Sequence, residues 1–277
     1  MESKIEISDL QKILNDTQIE PKITNLGWDN KHSINKSYVL VTAPPKSGST
    51  WTTNVLAKSL KYKVARYCYA WSSNEHDIYV PALLANQGFD TIAQMHMKGT
   101  PHNVQLILDF RINTIILTRN IYDSLISFSR DLKAKRDLDP QVPGLTGYSF
   151  VWTKHLKREW LQEDYIEYAI KYYLPWYINF LSSWSAYKDQ IPAKSIRYEL
   201  LRSKPKEVFE EIIPTLKENR TLYPDFGKQF TSHEISTTNS DTGSGLEILS
   251  TQQRQKIESY FCGIDDKWIQ SHLLIDV

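Results

Sequence analysis

Pro44-Pro45-Lys46-Ser47-Gly48-Ser49-Thr50-Trp51 follows the apolar run Tyr38-Val39-Leu40-Val41 and leads into Asn54-Val55-Leu56-Ala57, an order that reads as strand, tight loop and helix. Such a loop aims several backbone N–H groups and the positive end of a helix dipole at one point. That point binds phosphate. The common nucleotide-triphosphate loop, Gly-x-x-x-x-Gly-Lys-Ser/Thr, sets its lysine after the second glycine, so that the amine reaches the outer phosphates and the hydroxyl holds magnesium. Here Pro44 and Pro45 stand where the first glycine belongs, and Lys46 comes two residues before Gly48. That order disfavours an ATPase or GTPase.

Outward from the loop, further apolar runs meet helix starts. Asn113-Thr114-Ile115-Ile116-Leu117-Thr118 reads as a second buried strand, followed at once by Arg119-Asn120 and a helix through about Ala134; Lys194-Ser195-Ile196-Arg197-Tyr198 is a third strand before a helix that begins near Lys204. The alternation predicts an α/β fold: one domain over 1–277, with a central parallel sheet covered by helices on both faces. In such sheets a ligand sits beyond the carboxyl ends of the strands, where all three junctions gather. The first 35 or so residues read as polar and partly irregular. The stretch 132–147 mixes charges, prolines and glycines and reads as a mobile loop suited to a lid. Beyond it, Tyr165, Tyr168, Tyr172 and Trp176 recur at helical spacing, the pattern of a core stripe.

At 277 residues the chain is long enough to bury a large core, and no Gly/Ser- or Pro-rich linker divides it. Its 33 basic and 32 acidic side chains leave a formal charge of +1, which provides no field for holding nucleic acid or polysaccharide polyanions. A small acceptor is the simpler expectation. Cys68 and Cys262 cannot build a disulfide framework or a zinc site. No apolar signal region opens the sequence, and no run approaches the roughly 20 apolar residues of a membrane span. A reducing, cytoplasmic setting without membrane attachment is expected.

The order Pro-Lys-Ser-Gly-Ser-Thr-Trp resembles the 5'-phosphosulfate loop of the sulfotransferases, which transfer a sulfuryl group from 3'-phosphoadenosine 5'-phosphosulfate (PAPS). Arg119-Asn120-Ile121-Tyr122-Asp123, with Ser127 eight positions after Arg119, is similar to the family's Arg-Asn-x-x-Asp segment and its serine. The resemblance implies that Arg119 and Ser127 hold the 3'-phosphate of PAPS, a role that suits a bidentate guanidinium and a hydroxyl donor. It further implies that Lys46, Ser47, Gly48, Ser49, Thr50 and Trp51 hold the 5'-phosphosulfate, with Trp51 stacked on the base. Tyr198-Glu199 resembles the pair whose tyrosine lies near the adenine; a core tyrosine with a capping glutamate is the structural alternative. Toward the C-terminus the likeness weakens. Where the family has Arg-Lys-Gly-x-x-Gly, this chain has Asp241-Thr242-Gly243-Ser244-Gly245, so both cations are missing, Gly243 is left to offer backbone N–H groups, and the grip leans on Arg119. No metal is expected.

For the chemistry, Lys46 is the candidate to meet charge on the oxygen between sulfur and phosphorus. His96 is the candidate base, since an imidazole can take an acceptor proton near neutral pH. The resemblance supports this: small-molecule sulfotransferases carry Lys-x-His about this far ahead of the 3'-phosphate arginine, and His96 precedes Arg119 by twenty-three residues. Gln94 stands at the lysine position, with Lys98 able to approach from the other side. A buried structural histidine is the alternative, and His76 is the second candidate base. Tyr69, Trp71, Glu75, His76, Asp77, Lys98 and Tyr148 are candidate acceptor contacts, a set suited to a polar or cationic molecule between aromatic faces; the carboxylates read more readily as solvated surface. By overall impression the chain is similar to bacterial natural-product tailoring sulfotransferases, cyanobacterial saxitoxin-type alkaloid pathways among them, although no single residue carries that likeness. The competing readings are a P-loop kinase or nucleotide hydrolase, and a non-catalytic homologue that binds PAPS or its product 3',5'-bisphosphate (PAP) without turnover.

Overall fold

Strand β1, Tyr38–Thr42, is buried along its whole length and alternates between two cores. Tyr38 and Leu40 enter one cluster, Val39 and Val41 the other. An apolar side chain at every position is what a strand with both faces covered requires. The computed structural model describes residues 36–69, 75–136, 156–157, 159–216 and 243–273, and those from Lys36 onward fall within one compact unit.

In chain order the elements are β1, α1 (Ser49–Leu60), β2 (Lys63–Ala65), α2 (Val80–Leu84), β3 (Thr91–Met95), α3 (Pro101–Asp109), β4 (Asn113–Thr118), α4 (Ile121–Arg136), α5 (Gln162–Ser185), β5 (Ala193–Arg197), α6 (Tyr198–Ser203), α7 (Pro205–Leu216), α8 (Gly245–Ile248), α9 (Thr251–Ser259) and α10 (Lys267–Leu273). The sheet is parallel in the order β2-β3-β1-β4-β5. The chain leaves β1 toward β2 and β3 on one side and returns to β4 and β5 on the other, so the crevice at the carboxyl end of β1 is the topological switch point. Register brings the strand ends level: Thr42 lies opposite Met95 and Ile116, and Thr118 opposite Arg197. The residues that follow these ends, Ala43, His96, Arg119 and Tyr198, therefore gather along one edge.

Three expectations need correcting. The segment 132–136 belongs to α4, with Leu132 fully buried, because an apolar residue at helical spacing carries the helix through its charged end; the rest of the candidate lid, from residue 137, lies outside the described residues. The third strand ends at Arg197, and Tyr198 already begins α6. On α5 the buried stripe runs through Tyr165, Ala169, Tyr173, Trp176, Tyr177, Phe180 and Trp184, whereas Tyr168 and Tyr172 are half-buried at its margin. Among the described residues no helix is long and apolar enough to cross a membrane.

Candidate active site

The loop between β1 and α1 turns through two positive φ angles, 68° at Lys46 and 79° at Gly48. Gly48 is required twice over. The left-handed backbone is costly for other residues, and a Cβ there would lie 2.5 Å from Cε2 of the Tyr198 ring. The first helical bond runs from the Thr52 N–H to Gly48 O at 3.0 Å, so the N–H groups of Ser49, Thr50 and Trp51 stand outside the helix's own ladder. No acidic side chain occupies the first turn. The carbonyls, by contrast, are pinned from within: Pro45 O accepts from the Tyr173 hydroxyl at 2.7 Å and Lys46 O from Arg119 Nη1 at 3.0 Å. Trp51 is half-buried against Phe209, with ring centroids 5.7 Å apart. The Thr50 hydroxyl donates to Gln94 Oε1 at 3.0 Å, so the residue at the missing-lysine position touches the helix start.

Arg119 leaves β4 with 3% of its surface exposed. Its N–H donates to the Tyr177 hydroxyl oxygen at 2.9 Å, and that hydroxyl donates back to Arg119 O. Its guanidinium lies 4.8 Å above the Tyr198 ring, and its buried Nε has no hydrogen-bond partner among the described residues. Burial holds the phenols of Tyr173 and Tyr177 well above the ordinary tyrosine range, so both remain hydrogen-bond donors. Asn120 donates its N–H and its side-chain amide to Glu199 Oε1, at 2.8 and 2.9 Å, tying the end of β4 to the start of α6. Ser127 is half-buried, two turns into α4. One turn further on, Asp131 accepts from Lys46 Nζ at 3.1 Å.

Gly243 departs from expectation. Its N–H donates to Asp123 Oδ2 at 2.8 Å and that of Gly245 to Oδ1 at 2.8 Å. A Cβ on Gly245 would lie 2.5 Å from the Tyr122 carbonyl carbon. The glycines fix this loop against the start of α4, and the Gly243 N–H is turned inward rather than offered to a ligand.

At the end of β3, His96 is buried, with 8% exposed. Its Nδ1 lies 2.7 Å from Ala43 O. A carbonyl only accepts, so the neutral ring carries its proton on Nδ1 and presents a bare Nε2. His76 has the opposite arrangement: its Nδ1 accepts from the His96 backbone N–H at 2.9 Å. Nearby, Glu75 accepts from Trp176 Nε1 and pairs with Lys98 Nζ at 3.2 Å, and the Lys98 ammonium lies 5.5 Å from the Trp176 ring centroid. Asp77 is held by Asn103 Nδ2 at 2.8 Å. Tyr69 is 82% exposed and packs edge-on to Tyr79. Trp71 and Tyr148 lie outside the described residues. Among those described, no cluster of His, Cys, Asp or Glu is arranged to hold a metal. Tyr173, Tyr177 and Asp131 were not singled out from sequence, and Glu199 was named only as the partner of Tyr198; the only signal for the tyrosines is their spacing of four on one helix.

The sequence model of the sulfotransferase domain matches residues 36–241, well over half the chain. The protein belongs to the sulfotransferase family. It is therefore a transferase of sulfuryl groups. No curated protein matches this sulfotransferase in sequence. Among solved structures it is similar to a mouse sulfotransferase complexed with PAP, at TM-score 0.55 and 10% identity over 81% of this chain and 82% of that one. It also resembles a sulfotransferase from Alicyclobacillus acidocaldarius, at TM-score 0.50 and 13% identity over 87% and 97%, and a retinol dehydratase in complex with androsterone and PAP, at TM-score 0.50 and 13% identity over 84% and 80%. At these identities the likeness is one of fold.

Proposed function

We propose that this sulfotransferase uses PAPS as donor and a hydroxyl or nitrogen of a small molecule as acceptor, by in-line displacement without a metal. The observation that carries the reading is the 3.0 Å bond from Arg119 Nη1 to Lys46 O, which puts both anion-binding motifs in one crevice, within reach of a single donor. The residues fit such a molecule: an uncapped helix start with no acid in its first turn, a buried guanidinium nitrogen without a partner among the described residues, and a half-buried Trp51 for the base. The Ser47–Trp51 loop would hold the 5' end, Arg119 and Ser127 the 3'-phosphate, and Tyr198 the purine side.

In the transfer, His96 Nε2 takes the acceptor proton while the acceptor oxygen or nitrogen forms its bond to sulfur. The bond from sulfur to the phosphate oxygen breaks, and its electron pair leaves with the bisphosphate. The Lys46 ammonium meets that charge, where preorganised stabilisation is most effective. Glu75, which accepts from Trp176 Nε1 at the edge of that ring, favours an acceptor with a cationic group, an alkaloid-like natural product among them. The test is incubation with PAPS and a panel of alcohols, phenols, amines and guanidines, read as the mass gain of one sulfonate group. We expect product that requires PAPS, from cationic members foremost. Stronger thermal stabilisation by ATP with magnesium than by the 3',5'-bisphosphate would overturn the reading in favour of a kinase or hydrolase. Bisphosphate stabilisation without product from any acceptor would favour the non-catalytic homologue.

A further inference from the structure

His76 and His96 form a reciprocal pair across the gap between two segments. The His96 N–H donates to His76 Nδ1 at 2.9 Å, and the His76 N–H donates to His96 O at 3.3 Å. Their rings stack at 5.7 Å with an interplanar angle of 22°. Both are buried. The His76 segment is itself anchored next door: the Ile78 N–H donates to Asn103 Oδ1 at 3.0 Å, and Asn103 Nδ2 reaches both Asp77 and Lys98 O, at 2.8 and 3.1 Å. On the far side, Ala43 O holds His96 Nδ1.

An Nδ1 that accepts from an amide N–H must keep its lone pair, so His76 in its neutral form carries its proton on Nε2. A ring fixed in that state is a poor base, because protonating Nδ1 would set its N–H against the His96 N–H. His96 is the complement, with Nδ1 protonated and Nε2 bare. We infer that His76 is a positioning residue that fixes the backbone of His96, so that Ala43 O and His76 together aim His96 Nε2 at the acceptor. The inference rests on the sulfotransferase reading in giving His96 a base's task, but the hydrogen-bond arrangement stands apart from it. Without His76 the His96 N–H would lose the acceptor it has in His76 Nδ1, and the end of β3 would shift in response. A displacement of about 1 Å at a reacting group costs on the order of a hundredfold in rate.

The substitutions that separate positioning from direct chemistry are His76→Leu and His76→Asn. Leucine has similar bulk and no acceptor, whereas the asparagine Oδ1 stands as many bonds from Cβ as the histidine Nδ1 and accepts from the same amide. Expected for His76→Leu is a fall in kcat of roughly thirtyfold, with the Kd for 3',5'-bisphosphate unchanged by calorimetry; for His76→Asn, recovery to within about threefold of wild type. Equal loss in both variants, or no loss in either, overturns the inference. A second measurement needs neither folding of the leucine variant nor turnover. Two-bond proton–nitrogen spectra of the wild-type imidazoles at about pH 8, above the ordinary histidine pKa, should show the Nδ1–H tautomer for His96 and the Nε2–H tautomer for His76. The reverse on either ring sinks the inference even in an active enzyme, and a wild type that transfers nothing sinks the sulfotransferase reading while these spectra still decide the arrangement.

Discussion

Two glycine-bearing loops border the crevice at the carboxyl end of β1, and they use the same backbone in opposite ways. Each turns through a positive φ, 79° at Gly48 and 93° at Gly243, and each enters a helix. In the first, carbonyls are pinned inward by Tyr173 and Arg119 while the N–H groups stay outside any helical ladder. In the second, the Asp123 carboxylate takes the N–H groups of Gly243 and Gly245. The difference lies in the neighbour rather than in the glycine. Buried donors behind a loop make it a candidate anion cradle, and a buried carboxylate turns it into a clamp.

The contrast can be broken from the cradle side first. Lys46→Ala should cut turnover about a thousandfold, roughly 4 kcal/mol of transition-state stabilisation, with the melting temperature little changed; steady-state rates and calorimetric melting read the two together. On the clamp side, Asp123→Ala strands two N–H groups and the Asn120 amide that also donates to it. Its expected signature is a loss of about 3 kcal/mol in denaturant unfolding, and an unchanged midpoint would show that the second loop is held by something else. Gly48→Ala tests whether the cradle depends on its turn: strain and the Tyr198 contact should cost about 2 kcal/mol, seen as bisphosphate binding weakened at least tenfold.

Alkaline pH should loosen the cradle's support. The folded pKa values of Tyr173 and Tyr177 are raised by burial, so their contribution is fully present below the ordinary tyrosine value near 10. It is lost above that value, where the unfolded chain ionises first, at roughly 1.4 kcal/mol per pH unit for each ring. Tyr173→Phe with Tyr177→Phe should flatten that limb of the stability profile. The smallest effect is expected at Asp131, whose carboxylate faces Lys46 and would repel an anionic donor. Asp131→Asn should tighten bisphosphate binding by about fivefold, near 1 kcal/mol, by titration calorimetry. Weaker binding would mean that the ion pair presets Lys46.

The strand, loop and helix of the candidate cradle were legible because they lie together in sequence. β1, the Pro44–Trp51 loop and the start of α1 are contiguous, as are β4, Arg119 and Ser127. β3 was missed since Thr91-Ile92-Ala93-Gln94-Met95 lacks a sustained β-branched run and is recognised only by its register against β1. β2 was missed since its three residues are largely exposed at the sheet edge. The shift at Tyr198 arises where β5 passes into α6 with no turn residue between them. The clamp was misread for a different reason. Asp123 lies 120 residues from Gly243, and no local pattern announces that a carboxylate will absorb a distant loop's donors. Tyr173 and Tyr177 fell outside the stripe read as core, and their hydroxyls reach Pro45 O and Arg119 O, backbone groups to which sequence patterns are blind.

The two bonds from Asn120 to Glu199 Oε1 bolt the ends of neighbouring strands together with a single carboxylate oxygen. Parting them would strip a half-buried carboxylate of both donors and leave it, among the described residues, only the Arg197 guanidinium at 3.8 Å, so this side of the crevice behaves as masonry and not as a hinge. Whatever adaptation the enzyme needs to admit molecules of different outline has to come from the opposite wall.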